Sequence, residues 1–376
     1  MPDYAELETA LSQRKEDHLY RRRQVLQSAQ GVEVTIDGQR CLNFCSNDYL
    51  GLASHPKLIE AFQKAASEYG VGSGAAHLIT GHSHHHHALE EELAEFTGYP
   101  RALLFSTGYM ANLGVVSALL GQGDAVFEDR LNHASLLDAG LLSRARLQRY
   151  GHLDSDDLNK KISASKAREK LICSDGVFSM DGDMADVGAL ANSAEQHNAW
   201  LMIDDAHGLG VVGENGRGTL EVHQLGVNEV PILMGTFGKA FGTFGAFVAG
   251  EAALIETLIQ QARSYIYTTA LPPAVAAATR EALKLIQAET ERRVQLQQRI
   301  KQFRDGASQL GLPLMDSDSA IQPLRVGDTA KVVQLSDKLK QSGLLISAIR
   351  PPTVPQGTAR LRITLSASHS VEHVET

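Results

Sequence analysis

Cysteine is scarce. Cys41, Cys45 and Cys173 are the only three in 376 residues, and none is spaced as C-x-x-C. Such a set excludes a disulfide framework and fits a reducing compartment. Cys173 lies in an apolar run and is expected to be a buried core thiol. Basic charge is also in short supply, with 35 Lys and Arg against 44 Asp and Glu and a net charge of −9. A nucleic-acid platform needs a basic face and is disfavoured, while a local basic pocket for an anionic substrate remains compatible. No apolar run approaches the roughly 20 residues of a membrane span. Met1-Pro2-Asp3-Tyr4-Ala5-Glu6 lacks the basic-then-apolar order of an export signal. The expectation is a soluble cytoplasmic protein with neither nucleic acid nor membrane as partner.

What is present is ordinary globular composition, 43% hydrophobic and 21% charged, with length for two or three domains. Residues from Tyr4 to about Ser28 are charged and helix-compatible. A β-like segment follows, with a turn at Asp37-Gly38, then a helical pattern from Pro56 to Tyr69 and a glycine-rich loop over Gly70–Gly74. From about Ala88 to Arg263, short apolar runs alternate with helix-length segments. The runs are Ala102–Phe105, Ala125–Glu128, Leu147–Tyr150, Lys170–Ser174, Trp200–Asp204, Pro231–Met234 and Ala246–Ala249. This alternation predicts an α/β fold, a mainly parallel central sheet with helices on both faces. Ligands are then expected at the carboxyl ends of the strands. After Pro272-Pro273, one long charged helix is expected from Glu281 to Leu310. An α+β tail follows, with strands at Ile321–Val326, Leu344–Ile349 and Arg360–Leu365 and a helix at Ala330–Ser342. The expected division is residues 1–50 packing with a small C-terminal α+β domain, 286–376, and a large domain over 51–285.

Four stretches carry chemistry. Trp200–Asp204 ends in a carboxylate whose burial needs a cation or strong donor; a helix cap or surface turn is the plainer alternative. Thr236-Phe237-Gly238-Lys239-Ala240 desolvates a lysine and makes it a better amine nucleophile, an ordinary surface lysine being the alternative. It is not a phosphate-binding Walker loop, because Leu233 stands at the first glycine position and Ala240 follows the lysine. Ser106–Asn112 turns from strand into helix, and the amides of Gly108 and Tyr109 at a helix start suit a phosphate. His133 also opens a helix and can stack on a flat cofactor or be merely structural.

Two motifs mislead. Gly208-Leu209-Gly210-Val211-Val212-Gly213 matches a dinucleotide fingerprint but runs on into a polar, glycine-rich loop instead of a helix. His82-Ser83-His84-His85-His86-His87 precedes Leu89-Glu90-Glu91-Glu92-Leu93. It reads as the acidic first turn of an exposed helix, so no metal site is expected.

Together, Asn43–Gly51, Asp175–Asp183, Asp204-Asp205-Ala206-His207-Gly208 and Thr236–Lys239 resemble the α-oxoamine synthase family of pyridoxal-phosphate enzymes, over nearly the whole chain. The resemblance implies an aspartate-aminotransferase-like, fold type I homodimer with active sites at the subunit boundary. By position, Lys239 would carry pyridoxal phosphate, Asp204 would pair with its ring nitrogen, His207 with its hydroxyl, and His133 would stack on the ring. Ser179, Thr236, Gly108 and Tyr109 would complete the cofactor site. Asn47 and Arg362 would take an amino-acid carboxylate, with Arg360 an equal candidate on strand geometry alone. Arg21, Thr353 and His133 would help seat an acyl group. The tail Ala348–Arg362 points, within the family, to L-alanine and a pimeloyl thioester carried on CoA or acyl carrier protein. A glycine C-acyltransferase and a non-catalytic partner subunit are the alternatives. Asp175 stands where the family usually has Glu, Gly74-Ala75-Ala76-His77 departs from a more Gly/Ser-rich loop, and the chain stops at Thr376, short of where relatives usually end.

Overall fold

The computed structural model describes residues 3–376. Two antiparallel strands, β1 (Glu33–Ile36) and β2 (Gln39–Asn43), come first and meet at the tight turn Asp37-Gly38. Both turn residues take positive φ, 51° and 81°, which the short polar Asp and the glycine tolerate.

Seven strands follow: β3 (Arg101–Phe105), β4 (Ala125–Asp129), β5 (Arg146–Tyr150), β6 (Lys170–Asp175), β7 (Trp200–Asp204), β8 (Ile232–Thr236) and β9 (Ala246–Gly250). They form one sheet in the order β3-β9-β8-β7-β6-β4-β5, parallel except that β9 runs against both neighbours. Each central strand is a nearly unbroken apolar run because helices cover both faces. One core cluster joins Leu103, Val126, Leu171, Cys173, Met202, Ile232 and Val248 from the sheet to Val115, Leu136 and Leu258 from flanking helices. Burial raises the Cys173 thiol well above its usual pKa, as an inert core thiol requires.

The chain divides into two compact units. The larger holds Leu52–Ser179 and Asp183–Val294, with the seven-stranded sheet. The smaller holds the chain up to Gly51, Met180–Gly182 and Gln295–Thr376. It contains β10 (Ile321–Gly327), β11 (Leu344–Leu345), β12 (Ser347–Ile349) and β13 (Ala359–Thr364), in two three-stranded sheets ordered β1-β2-β11 and β10-β13-β12.

Three sequence expectations need correction. The strand over Leu344–Ile349 breaks at Ile346, so its halves feed different sheets. The long helix over Glu281–Leu310 is two, Pro273–Ala288 and Glu291–Gln309. The N-terminal helix, α1 (Ala5–Glu16), ends twelve residues before Ser28. In β13 Arg360, Arg362 and Thr364 share one face, and both faces are covered: all six of its residues are buried, Arg360 and Arg362 included. Among the described residues, no helix is long and apolar enough to cross a membrane.

A half-buried ion-pair cluster fixes the loop after β4. His152 Nδ1 meets Asp129 Oδ1 and its Nε2 meets Asp183 Oδ2, both at 2.9 Å. Asp129 also accepts the amides of Leu131 and Leu153 at 2.8 Å. Burial opposes the charged imidazole, but the two carboxylates outweigh it and raise its pKa from 6.5 to about 10. A raised folded-state pKa stabilises fully below the unfolded value and loses that contribution as pH climbs through the folded one. His152→Gln is therefore expected to lower the thermal midpoint most near pH 6. The gap from the parent protein should close progressively up to pH 10. A gap independent of pH would show that the ring is not held as a cation.

Candidate active site

Strands β6, β7 and β8 end side by side, and their last residues, Asp175, Asp204 and Thr236, line one cavity of about 170 Å³. Gly108, His133, Ser135, Val177, Ser179, Ala206, His207, Met234 and Lys239 complete the lining. This is the carboxyl edge of the parallel sheet, where the βα connections converge.

Asp204 is 5% exposed. Its Oδ2 accepts Asn112 Nδ2 at 2.8 Å and its Oδ1 accepts the Ala206 amide at 3.1 Å. Asp175 lies beside it in the β6–β7 register. Burial, and after it the Asp204 charge, push the Asp175 carboxyl well above the ordinary carboxylate range, against the His133 amide that donates to its Oδ2 at 3.1 Å. Burial thus favours the protonated form of Asp175, whose Oδ1 is buried and unpartnered.

The helix α2 (Pro56–Tyr69) and the helix α3 (His84–Thr97) precede β3. After β3 comes α4 (Gly108–Leu119), capped by Thr107, whose hydroxyl accepts the Met110 amide at 3.1 Å. The cap uses the third amide and leaves those of Gly108 and Tyr109 directed along the helix axis, where the dipole favours an anion. The Tyr109 side chain turns away and donates to Asp138. Thr236 donates its hydroxyl to Gly245 O at 2.9 Å, which fixes the turn leading to Lys239.

His133 caps α5 (Ala134–Leu142). Its Nδ1 faces the Ser135 amide at 3.3 Å and the Ser135 hydroxyl at 2.7 Å. Nδ1 is thus an acceptor, and the ring proton is assigned to Nε2. Burial holds the imidazole below its usual pKa, against the pull of Asp204, although the ring keeps an open face. Asn112 Nδ2 also donates to Ser135 Oγ at 2.8 Å. One buried amide on α4 therefore orients both Asp204 and, through Ser135, His133. Sequence reading assigned Asn112 and Ser135 no role. The available signal was a lone polar side chain in the apolar stretch Met110-Ala111-Asn112-Leu113.

The glycine-rich decoy has a structural reason. Gly208–Gly218 wraps the fully buried Asp205, and a Cβ at Gly208 or Gly218 would collide with that carboxylate. Burial pushes Asp205 up to about 7 while the Thr219 amide, donating to its Oδ2 at 2.7 Å, works the other way. The helix that follows is five residues, Thr219–His223. These glycines clear space for a buried acid and open no nucleotide site.

In the smaller unit the remaining candidates form two pairs. Arg362 Nη2 donates to Asn47 Oδ1 at 3.1 Å, and the Tyr49 hydroxyl donates to the same oxygen at 3.2 Å. Arg360 is committed elsewhere, 2.5 Å from Asp181. That distinction leaves Arg362 as the better carboxylate ligand of the two. Arg21 Nη2 reaches Thr353 Oγ1 at 3.4 Å.

The sequence profile described as aminotransferase class I and II matches residues 39–376. The 8-amino-7-oxononanoate synthase of Saccharophagus degradans is 61% identical over 373 residues, covering 99% of this chain and 94% of its own. That of Nitrosococcus oceani is 62% identical and covers 97% of each chain. This chain belongs to the α-oxoamine synthase family of the class I and II aminotransferases. Among solved structures, serine palmitoyltransferase from S. paucimobilis with bound PLP superposes with a TM-score of 0.93 at 30% identity, covering 99% of this chain and 94% of that one. The chain thus has the fold type I arrangement that the family resemblance implied, built on the mainly parallel sheet expected from the alternating strands.

Proposed function

We propose that this chain joins L-alanine to a pimeloyl thioester, releasing carbon dioxide and the thiol carrier, and so forms 8-amino-7-oxononanoate for biotin biosynthesis. The reading is carried by Lys239, Asp204 and His133 lining one cavity in a chain about 60% identical, end to end, to enzymes of that name.

The cavity suits pyridoxal phosphate. The paired amides of Gly108 and Tyr109 match a phosphate, Asp204 offers a buried anion for a protonated ring nitrogen, and the buried Asp175 Oδ1 still lacks a partner. When bound, the cofactor supplies an aldehyde that joins to amines and an electron-withdrawing ring that takes up the charge left at the α-carbon. Lys239 would hold that aldehyde, and its amine, once displaced by the amino acid, would take the α-proton. Asp204, oriented by Asn112 and Ala206, would keep the ring nitrogen protonated. His207 would bond the ring hydroxyl, and Ser179 and Thr236 would hold the group in place. Asn47 and Arg362 take the alanine carboxylate; a guanidinium fork fits it in two-point contact. His133 would stack on the ring and present its Nε2 proton to the thioester carbonyl. Arg21 and Thr353 help seat the acyl substrate. A cytoplasmic homodimer with active sites at the subunit boundary completes the reading, with small domains built from 1–50 and 286–376.

Purified protein should release free thiol with L-alanine and pimeloyl-CoA, or pimeloyl-acyl carrier protein, far faster than with glycine and acetyl-CoA. Efficient turnover of the glycine pair alone would reassign it as a glycine C-acyltransferase. A protein that binds cofactor but turns over neither pair would be a catalytically silent relative.

A further inference from the structure

Six histidines fall between residues 77 and 87. The structure corrects the view of them as an exposed acidic helix start. The first turn of α3 is histidine rather than acid, and His86 is fully buried. Three of the six are committed elsewhere. His86 accepts the Ser83 amide at Nδ1 and meets Leu271 O through Nε2 at 2.7 Å. His85 Nδ1 faces the Arg280 guanidinium at 3.3 Å. His77 stacks on Tyr265 and shares a hydrogen with His82, Nδ1 to Nδ1, at 3.0 Å.

His82, His87 and Glu90 are different. One ligand atom from each lies within 4.8 Å of the others. Glu90 Oε1 accepts the Leu104 amide at 3.0 Å, which leaves Oε2 as the outward oxygen, 3.9 Å from His82 Nε2. At that separation the two atoms are too far apart to hydrogen-bond to each other. They are slightly wide of the ~3.4 Å between ligand atoms of a tetrahedral site with bonds near 2.1 Å. His87 is mostly exposed, and its Nε2 faces Glu91 Oε1 at 3.5 Å, a surface pair weak enough to give way. The His77–His82 contact is the kind of outer hydrogen bond that fixes a ligating imidazole. With His82 Nδ1 as donor, its Nε2 lone pair is turned towards Glu90.

We infer that His82, His87 and Glu90 form a binding site for a borderline divalent cation such as Zn²⁺, with water as a fourth ligand. Two imidazoles and a carboxylate suit Zn²⁺ better than Mg²⁺ or Ca²⁺, which prefer oxygen. The site would tie the loop before α3 to the second turn of that helix. Its role is structural, and none of its ligands belongs to the cavity around Lys239.

The test uses cofactor-loaded protein, freed of metal and of unbound pyridoxal phosphate, titrated with Zn²⁺ against a chromophoric chelator. One Zn²⁺ per chain is expected. His87→Ala, at an exposed position that should not disturb folding, and Glu90→Gln should each weaken binding by about tenfold or more. The double variant His84→Ala/His85→Ala should change it less than about twofold, since neither side chain is a ligand. Zn²⁺ should also raise the unfolding midpoint of the parent protein but not of Glu90→Gln. Loss of binding in the His84/His85 variant with full binding in Glu90→Gln would mean adventitious chelation by surface histidines and would overturn the site. The absence of stoichiometric binding would do the same.

Discussion

Lys239→Ala loses the visible absorbance of lysine-bound cofactor and, with it, turnover by a factor of about 10⁴ or more, the scale expected when the residue that both anchors the cofactor and moves the proton is removed. The geometry makes the two losses inseparable. Lys239 follows the carboxyl end of β8 and lines the same cavity as Asp204 and His133, and no other lysine lines it. The variant should fold normally, because Lys239 is only partly buried and belongs to no core cluster. Thermal unfolding of the cofactor-free proteins checks this. Turnover within tenfold of the parent protein would sink the mechanism, since the α-proton would then be leaving to another base.

Asp204→Asn should retain cofactor yet lose about 10³-fold in kcat, the range measured when a charge-stabilising partner is taken from a desolvated site. The side chain stays the same size and can still accept from Asn112 or Ala206, so the loss reports charge rather than shape. The variant has a second readout. After burial, Asp204's charge is the next cause that pushes the Asp175 carboxyl upward. Removing it should bring the Asp175 titration down towards the usual carboxylate range, and the cofactor's absorbance should gain a pH dependence absent from the parent protein. A cofactor spectrum and kcat unchanged by the substitution would mean that Asp204 does not meet the ring nitrogen.

The seven-stranded sheet was legible because its strands are buried on both faces. Short, nearly continuous apolar runs separated by helix-length segments are what a covered parallel sheet must look like. The same condition hid parts of the smaller unit. In β13, Arg360 and Arg362 alternate with Leu361 and Ile363, but both faces are buried, with Arg360 paired to Asp181 and Arg362 donating to Asn47. Hydrogen-bond partners 179 and 315 residues away leave no local trace. Within the cavity, residues announced by a strand end or a helix start were visible, including Asp204, Gly108 and His133. Asn112 was not, because its importance lies in two hydrogen bonds made from the middle of a helix. The histidine run misled for a related reason: composition records how many imidazoles there are, while burial and partners decide which of them can bind anything.

The smaller sheet β1-β2-β11 has a consequence for how the protein is made. β2 pairs in parallel with β11, joining Leu42 to Leu344 and Asn43 to Leu345. The hairpin therefore leaves the ribosome about 300 residues ahead of the strand that completes it, about 15–60 s at ordinary elongation rates. During that interval the hairpin is an open two-stranded ribbon, too small to be stable alone and with an unpaired edge. The larger unit has all its residues by Val294, so its core can close while the first fifty residues of the chain still wait for the last.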